Sequence, residues 1–552
     1  MPSKKYDVIV IGTGAGGGAA IHTLCKAGAK VCALNASRRL NPSKDFRRHR
    51  MPFDMPFRGF GDPLKRKAWI GYMDNEYTEG IWEHDIAFTT APGTEWTWRR
   101  CFAVGGKTNF WGRSSARFGD IDFRAATLDG FDTDWPVTYQ EIAPYYSRVE
   151  RMIGVASTVQ NRPSNPDGDY LPPMNFRCID RILESGARKI GIPYLPDRIA
   201  QLTTAHAGHP ACHYCANCTE GCDTGSFFST PWFLLPAAEK TGNLELRTNA
   251  LAKNIITDEN GRAAGVAYVD RDSKQEVEVY ARAVVVAASC VESARILLNS
   301  KSRHWPIGIA NSSEQAGRNL CDHMYGTIAR GYLPQLLGQP SFPDNVSSST
   351  VAWLPRWQNL GSPREEKFIR GYSVYPDGGC REYPSYADEI EGFGSEYKRQ
   401  IKRRYPTPVS FYIQAPTQRS DANYVDIDPH VKDKFGIPAA RLHFQWDENT
   451  KLMWEHGKHA CEQLLRASGA EYQGSGSIDM PGTSLHETGT LRMGNDPKKF
   501  VTNRFGQTHD VPNLFICDAS VFPNCTDKTT TISILAFSLR TSEHLLDYLK
   551  SS

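Results

Sequence analysis

A glycine-rich segment follows a short apolar stretch at the start of this chain and strongly limits the folds it can adopt. Residues 6–11 predict a buried strand, and Gly12, Gly14 and Gly17 lead into a helical stretch and a second strand at residues 30–34. Glycines at this spacing permit a tight turn, a close backbone approach to a pyrophosphate and close helix–strand packing. The helix N-terminus faces the phosphate charge. The segment therefore predicts a dinucleotide-binding α/β unit.

The end of the second predicted strand departs from the usual pattern. Asn35 stands where an acidic residue usually holds the ribose hydroxyls of a dinucleotide. An amide can still hydrogen-bond a ribose, although without the strength of a charged acceptor. We expect Asn35 to contact the ribose.

Four closely spaced cysteines indicate a second type of chemistry. Cys212, Cys215, Cys218 and Cys222 follow the spacing C-x2-C-x2-C-x3-C, and Asp223 replaces the proline that often comes next. This spacing favours an iron–sulfur cluster, with a zinc knuckle, disulfides or inert thiols as alternatives. Zinc ribbons need two separated CxxC pairs, and c-type haem needs CxxCH; neither pattern is present.

Length and composition exclude several classes of protein. A chain of 552 residues with a net charge of +3 predicts two or more domains and gives no indication of nucleic-acid or membrane-surface binding. The sequence contains no apolar stretch long enough to span a bilayer, and from the residues before the first strand we expect no secretory signal. The ten remaining cysteines are scattered, as is typical of a reducing compartment. We expect a cytoplasmic protein, or a periplasmic one if a partner subunit carries it out.

Later segments suggest how the rest of the chain is built. Gly105, Gly106, Thr108 and Asn109 form a second glycine-rich segment suited to backbone contact with a flat ring. Three strand-like stretches between residues 243 and 288 predict a small meander that ends in a buried strand. We expect the irregular stretch at residues 45–80 to cover the cofactor, and the aromatic-rich residues 326–480 to form a sheet-based substrate domain.

Five segments together carry a family resemblance. They are residues 12–17, 104–111, 317–323, 485–494 and 512–523. In this order they resemble the glucose–methanol–choline (GMC) flavoprotein oxidoreductases along the whole chain. The chain is most similar to the large subunits of bacterial glucose, gluconate and fructose dehydrogenases, which carry an iron–sulfur cluster, and more distantly to pyranose oxidase. The resemblance implies FAD, oxidation of an alcohol, and an α/β fold in which a discontinuous Rossmann-type FAD domain is interleaved with a substrate domain on an antiparallel sheet.

The resemblance also implies domain limits and cofactor contacts. The FAD-binding domain is expected at residues 1–45, 80–125, 240–325 and 482–552. The substrate domain is expected at residues 46–79, 126–239 and 326–481, with a cysteine-rich cluster loop at 206–226. The residues expected to contact FAD are Gly12, Gly14, Gly17, Asn35, Gly105, Gly106, Thr108, Asn109, Ala252, Asp518, Ala519 and Thr531.

The family's active-site pair is only partly present. His486 aligns with the catalytic histidine, whereas Thr529 stands where the family has a second histidine or an asparagine. A base within hydrogen-bond reach of the alcohol removes its proton, and the second group orients the hydroxyl. Because Thr529 has a shorter reach than asparagine, three alternatives follow: the substrate sits differently, activity is slow, or Asn524 or Lys528 takes the place of the asparagine.

Two further departures concern the cofactors. Phe110 aligns with the histidine that binds flavin covalently in pyranose oxidase, so noncovalent FAD is expected. His213 aligns with the first of three cluster cysteines in the related dehydrogenases, so Cys212 or Cys215 has to replace it. This leaves a 3Fe-4S or a 4Fe-4S cluster open.

These observations favour one function and leave two alternatives. The first is a dehydrogenase that oxidises a hydroxyl of a sugar or glycoside, transfers hydride to the flavin and passes electrons through the cluster to a partner such as a cytochrome, with a small subunit possible. The second is an oxygen-reducing oxidase whose cysteines are structural or bind zinc. The third is a noncatalytic flavoprotein subunit.

Overall fold

The computed structural model describes most of the chain. It covers residues 6–47, 54, 55, 57, 62, 64, 75, 77–215, 218–340, 351–361, 366–378, 387 and 389–551. The strands are β1 (Tyr6–Ile11), β2 (Val31–Leu34), β3 (Thr89–Thr90), β4 (Leu195–Pro196), β5 (Leu244–Arg247), β6 (Ala250–Thr257), β7 (Ala263–Asp270), β8 (Glu276–Val286), β9 (His323–Tyr332), β10 (Ala352–Trp353), β11 (Ser373–Gly378), β12 (Pro408–Pro416), β13 (Tyr424–Lys432), β14 (Pro438–His443), β15 (Glu471–Gly474) and β16 (Leu514–Ile516).

Twelve helices accompany these strands in the described part of the chain. They are α1 (Ala15–Lys26), α2 (Pro42–Asp45), α3 (Asp120–Phe123), α4 (Ala125–Asp129), α5 (Tyr139–Ile153), α6 (Cys178–Ile190), α7 (Thr230–Phe233), α8 (Leu235–Glu239), α9 (Cys290–Asn299), α10 (Gly394–Arg404), α11 (Glu448–Ala467) and α12 (Thr531–Ser551). Among the described residues, no helix is long and apolar enough to cross a membrane.

The largest sheet has seven strands and contains the predicted dinucleotide-binding unit. Its order is β5-β2-β1-β8-β7-β6, and β16 also pairs with β8. The pairs β5–β2, β2–β1, β1–β8 and β8–β16 are parallel, whereas β6 and β7 form an antiparallel meander with β8. Val8, Ile9 and Val10 in β1 are fully buried, as expected for a parallel strand covered on both faces. The predicted bounds of β1 are confirmed, whereas β2 begins one residue later than predicted, at Val31. The meander is present as β6, β7 and β8, but the first of its three predicted stretches divides into β6 and the separate strand β5, which pairs with β2.

A second sheet is entirely antiparallel. Its order is β11-β12-β9-β15, and α11 packs against β9 and β12. Apolar side chains from these elements form a separate core that includes Ile328, Phe411, Ile413 and Leu464. Smaller sheets are formed by β13, β14 and β3 and by β10 and β4. The predicted combination of a Rossmann-type unit and an antiparallel sheet is therefore present.

The predicted domain limits remain a prediction, although the strands of the two large sheets follow them closely. The seven-stranded sheet draws its strands from three distant parts of the chain, and the four-stranded sheet from residues 323–474. Most of the irregular segment predicted at residues 45–80 lies outside the described residues.

Candidate active site

A cavity of about 620 Å³ lies between the two large sheets. One end is formed where β1, β2 and β8 finish, and includes Gly12, Asn35 and Ala288. The other end is formed by side chains of the antiparallel sheet, including Tyr375 and Tyr412. Ligands of open α/β sheets bind outside the carboxyl ends of parallel strands. The cavity therefore occupies the expected position for a dinucleotide with a substrate beside it.

The glycine-rich turn after β1 has the geometry that a pyrophosphate site requires. Gly12 has φ +95°, and a Cβ atom there would lie 2.3 Å from the carbonyl oxygen of Ala287. A Cβ atom at Gly17 would lie 2.1 Å from the carbonyl oxygen of Gly12, so this position holds α1 against the turn. Gly14 lines the cavity, and a Cβ atom there would meet nothing within 4 Å. The N-terminus of α1 has no side-chain cap, which leaves its N–H groups available to an anion.

Most of the other predicted cofactor residues lie around the same cavity. Those that line it are Gly12, Gly14, Asn35, Gly106, Thr108, Ala252, Asp518, Ala519 and Thr531. Gly17, Gly105 and Asn109 are described but do not line it. Asn109 instead donates from Nδ2 to the carbonyl oxygens of Val104 (3.0 Å) and Gly106 (2.8 Å). It thereby shapes the second glycine-rich segment.

Asn35 is held firmly at the end of β2. Its Oδ1 accepts a hydrogen bond from the Thr13 hydroxyl at 2.7 Å, and its Nδ2 donates to the carbonyl oxygens of Ser37 and Phe102 at 2.8 Å. Both amide protons are therefore used within the protein. A ribose hydroxyl can reach only the remaining lone pair of Oδ1, so Asn35 can contact the ribose as an acceptor.

His486 contacts a second histidine that was not predicted as a site residue. The Nδ1 atoms of His486 and His323 are 2.9 Å apart, and the His323 Nε2 atom is 2.6 Å from the carbonyl oxygen of Thr526. His486 lines the cavity, whereas His323 is buried behind it at the start of β9. Burial lowers the pKa of His486 well below its ordinary value, with smaller contributions from His323 and Lys107. A neutral imidazole therefore faces the cavity, with Nε2 as its available nitrogen.

Thr529 also lines the cavity, but its hydroxyl is committed to the protein. The Oγ1 atom donates to the carbonyl oxygen of Ser114 at 2.7 Å. Its lone pairs remain able to accept a hydrogen bond, whereas its proton is occupied. Thr529 is therefore placed for the predicted site and differs from an asparagine in offering no free donor.

The two candidate substitutes for the missing asparagine do not line the cavity. Asn524 is buried and accepts a hydrogen bond from Trp135 Nε1 at 3.0 Å. The Lys528 Nζ atom is buried between carboxylates, 3.0 Å from Asp122 and 2.7 Å from Asp527. Removing one partner of such a buried group costs about 3–5 kcal/mol. Lys528 is therefore committed to these two carboxylates and is not available to a substrate hydroxyl.

The wall opposite the glycine-rich turn is polar and aromatic. Tyr325 in β9, Tyr375 in β11, and Tyr412 and Gln414 in β12 line the cavity from three adjacent strands. The rings of Tyr325 and Tyr412 are stacked, with centroids 5.5 Å apart. Aromatic rings with polar tips offer both apolar contact and hydrogen bonds. This wall suits a ligand with several hydroxyl groups on a carbon framework.

A buried carboxyl group lies beside Thr529 in the same wall. Asp197 Oδ1 accepts a hydrogen bond from the Ser114 hydroxyl at 3.0 Å, and Asp197 Oδ2 has no hydrogen-bond partner among the described residues. Burial raises the pKa of Asp197 to about 7, although the bonds from Ser114 and the Arg198 amide and the charges of Arg198 and Arg113 oppose this shift. Sequence reasoning missed Asp197, because nothing in its local sequence marks it.

The four clustered cysteines line one small, separate cavity. Cys212, Cys215, Cys218 and Cys222 share it with Phe227 and other residues. Hydrogen bonds reach the sulfur atoms of Cys212 and Cys222: Gln201 Nε2 lies 2.8 Å from Cys212 Sγ, and the Ser226 amide nitrogen lies 3.3 Å from Cys222 Sγ. Within the described residues, no group of three or more His, Cys, Asp or Glu side chains is arranged to hold a metal ion. The thiols thus share a cavity but are not placed as ligands.

One side-chain contact connects the lining of the cysteine cavity with that of the large cavity. Phe227 lines the cysteine cavity, and the Arg113 guanidinium lies 5.0 Å from the centre of its ring. Arg113 itself lines the large cavity.

The described cysteines form no disulfide, so the disulfide alternative finds no support among them; Cys380 lies outside the described residues.

Comparison with known proteins identifies the family. The sequence patterns of the N- and C-terminal parts of the GMC oxidoreductase family match residues 79–325 and 418–538. The chain belongs to the GMC oxidoreductase family. It is similar to 2-methyl-1,2-propanediol dehydrogenase of Mycolicibacterium austroafricanum, with 28% identity over 97% of this chain and 94% of that protein. It is also similar to the fructose dehydrogenase large subunit of Gluconobacter japonicus, with 25% identity over 99% of this chain and 98% of that protein.

A solved structure supports the fold independently. Pyridoxine 4-oxidase from Mesorbium loti superimposes with a TM-score of 0.65 and 15% sequence identity, covering 98% of this chain and 99% of that one. Membership of the GMC oxidoreductase family, shown by the sequence patterns and the relatives above, makes this chain an FAD-dependent enzyme that acts on CH–OH groups. The residues of the large cavity fit the cofactor, since Gly14 leaves open space at the uncapped N-terminus of α1.

Proposed function

We propose that this GMC oxidoreductase is a dehydrogenase that oxidises one hydroxyl of a sugar, glycoside or related polyol to a carbonyl. The observation that carries this proposal is the neutral imidazole of His486, which lines a cavity whose far wall bears Tyr325, Tyr375, Tyr412 and Gln414. Hydroxyl-rich ligands suit such a wall, and a neutral imidazole can accept the proton of an alcohol.

In the proposed reaction, one residue of the cavity accepts a proton and the others orient the substrate. The alcohol loses its hydroxyl proton to His486 Nε2 as its carbon loses a hydrogen with two electrons and becomes a carbonyl carbon. Bound FAD supplies the acceptor for that hydrogen and its electrons. Thr529 and the tyrosine wall hold the substrate so that the hydroxyl points at His486, which contributes orientation rather than proton transfer.

A substrate panel tests this function. The flavin-loaded enzyme is mixed without oxygen with D-glucose, D-fructose, 2-methyl-1,2-propanediol and, as a hydroxyl-poor comparison, 1-propanol. We expect the polyols to bleach the flavin absorption much faster than 1-propanol does. Bleaching by 1-propanol at the same rate would contradict the polyol assignment. Rapid peroxide formation after oxygen is admitted would favour the oxidase alternative.

The manner of FAD binding can be predicted from the residue at the position of the covalent histidine. Phe110 is fully buried and packs edge-to-face on Phe46. Its phenyl ring has no nucleophilic atom that could form a bond to the flavin. We expect acid precipitation to release all FAD into the supernatant. Yellow colour that stays with the washed protein would contradict noncovalent binding.

We also propose that the clustered cysteines bind an iron–sulfur cluster, 3Fe-4S or 4Fe-4S, and that a cytochrome or a small subunit accepts the electrons. Support comes from the spacing of the thiols, their common cavity and its position next to Arg113. Hydrogen bonds to sulfur such as that from Gln201 also help to set the potential of such clusters. Binding has to draw the thiols together from the arrangement described above.

Thr529 offers a test of how the substrate hydroxyl is oriented. Replacing it with asparagine adds an amide donor that the wild-type side chain lacks, because Thr529 gives its proton to Ser114. We expect Thr529→Asn to keep or raise the rate of flavin reduction. Thr529→Val, which has the same shape without the hydroxyl, is the matched variant and should lower that rate by about 3- to 10-fold for one lost hydrogen bond. A rate in Thr529→Asn below that of Thr529→Val would show that the substrate is aimed differently.

A further inference from the structure

The two imidazoles at the catalytic end of the cavity form one unit. The rings of His323 and His486 meet edge to face, with centroids 4.9 Å apart and an interplanar angle of 85°. Their Nδ1 atoms are 2.9 Å apart, which is hydrogen-bond distance. His323 is 1% exposed and does not line the cavity, so it cannot contact a substrate. Any effect it has on the reaction acts through His486.

The chemistry of the neighbouring groups fixes the direction of this hydrogen bond. The His323 Nε2 atom lies 2.6 Å from the carbonyl oxygen of Thr526, which can only accept, so Nε2 carries a proton. Burial lowers the pKa of His323 to about 4, so the ring is neutral and carries no second proton. Its Nδ1 atom is therefore an acceptor, and His486 Nδ1 has to be the donor.

We propose that His323 is a positioning residue that holds His486 in the Nδ1–H tautomer, so that the unprotonated Nε2 faces the cavity and receives the hydroxyl proton of the substrate. The transfer of the substrate proton to Nε2 rests on the proposed function, whereas the tautomer of His486 does not. When Nε2 gains the proton, His486 becomes an imidazolium whose Nδ1–H bond to His323 is retained. The Thr526 carbonyl is not a base, so the proton leaves again through Nε2 and does not pass along the pair.

Asp322, the residue before His323, fixes the main chain at His486. Asp322 is fully buried and accepts hydrogen bonds from the backbone amides of Gly482 at 2.8 Å and His486 at 3.2 Å, and from the Ser484 hydroxyl. Leu485 has φ +65°, a left-handed conformation that a leucine seldom adopts. Asp322, just before β9, and His323, its first residue, therefore fix the backbone and the ring of His486 respectively, as expected for a preorganised base.

The tautomer can be measured in the wild-type enzyme without any substrate. Histidine labelled with ¹⁵N in the ring gives different NMR shifts for protonated and unprotonated nitrogens, and comparison with a His486→Gln variant assigns the signals. We expect His486 to show a protonated Nδ1 and an unprotonated Nε2 at pH 8. The opposite tautomer would overturn the proposal. This result does not depend on whether an alcohol reduces the flavin, so it is separable from a failure of the proposed function.

Two substitutions test the consequence for the reaction. In His323→Asn, Oδ1 replaces Nδ1 as the acceptor, whereas His323→Leu offers none. We expect the leucine variant to reduce flavin at least about 100-fold more slowly than the wild type, with substrate affinity changed less than about 3-fold. Loss of a tautomer-fixing partner has effects of this size or larger in the Ser-His-Asp triad. The asparagine variant should stay within about 10-fold of the wild-type rate. The control is His456→Leu, since His456 also bonds through Nδ1, to the Tyr372 hydroxyl at 2.7 Å, but does not line the cavity.

The outcomes separate a positioning role from a purely structural one. A wild-type reduction rate in His323→Leu overturns the proposal, and so does an equal loss in His323→Asn and His323→Leu with unchanged melting temperatures. If the leucine variant does not fold, the rate of the asparagine variant and the wild-type tautomer decide the matter. Rescue by asparagine together with an Nδ1–H signal supports the proposal.

Discussion

His486→Ala is expected to reduce flavin with a sugar or polyol substrate about 10²–10⁴ times more slowly than the wild type. The loss arises because His486 Nε2 is the nitrogen left available to the cavity, and no other described histidine lines it. Rapid mixing without oxygen measures the rate of flavin bleaching directly. FAD content and the spectrum of the oxidised flavin should be nearly unchanged.

The same variant carries its own internal control. Reoxidation of the reduced flavin by a dye handles no alcohol proton, so its rate should be close to that of the wild type. A comparable loss in both half-reactions would indicate a disturbed flavin site rather than a missing base. A wild-type rate of flavin reduction would place the base elsewhere.

The pH dependence of the wild type follows from the environment of His486. Burial, His323 and Lys107 lower the pKa of His486 well below the ordinary value of about 6.5. A general base acts when unprotonated, so lowering its pKa extends full activity to more acidic pH. We expect the rate of flavin reduction at pH 6.5 to equal its plateau at pH 8, whereas an ordinary histidine would give about half.

The second large effect concerns the clustered cysteines. Cys218→Ser or Cys222→Ser is expected to remove iron and sulfide from anaerobically purified enzyme, because iron–sulfur clusters are held by cysteine thiolates and a serine hydroxyl is a weaker ligand for iron. Cys178 is exposed at the start of α6, outside the cysteine cavity, and Cys178→Ser is the matched control with unchanged iron. Reduction of cytochrome c should be suppressed in the two cavity variants, while a small dye still reoxidises the flavin.

Two further variants distinguish the cluster types. A three-iron cluster uses Cys218, Cys222 and one of Cys212 and Cys215, so it should tolerate the loss of the one that is not a ligand. A four-iron cluster should tolerate the loss of neither. Iron and sulfide are measured in Cys212→Ser and Cys215→Ser against the wild type. Equal iron in the wild type and in both Cys218→Ser and Cys222→Ser would contradict the cluster proposal. A wild type with zinc and no sulfide would favour the zinc alternative.

Sequence reasoning works best here where function depends on local spacing. The β1 strand at Tyr6–Ile11, the turn at Gly12 and the opening of α1 are encoded within about 20 consecutive residues, and the structure has all three. The glycines have few alternatives, since a Cβ atom at Gly12 or Gly17 would overlap backbone atoms. Such steric requirements can be read from the sequence alone.

The catalytic end of the cavity depends on contacts that the sequence does not display. His323 and His486 are separated by 163 positions, and they meet only because β9 begins beside the loop that contains His486. The Asp-His pair at 322–323 does lie within one of the segments that resemble the GMC family, which was a usable signal. The sequence around Thr529 does not reveal that the Ser114 carbonyl accepts the Thr529 hydroxyl proton. Nor does it reveal that Asp197 lies beside Ser114.

One single-turnover experiment tests the central claim most directly. The flavin-loaded wild type is mixed without oxygen with the best polyol of the panel and with the same polyol deuterated at the oxidised carbon. We predict one carbonyl product per flavin reduced and slower bleaching with the deuterated substrate, because that carbon–hydrogen bond breaks in the step that reduces the flavin. A flavin that stays oxidised with every polyol, or bleaching without a carbonyl product, would contradict the assignment of this chain as a polyol dehydrogenase.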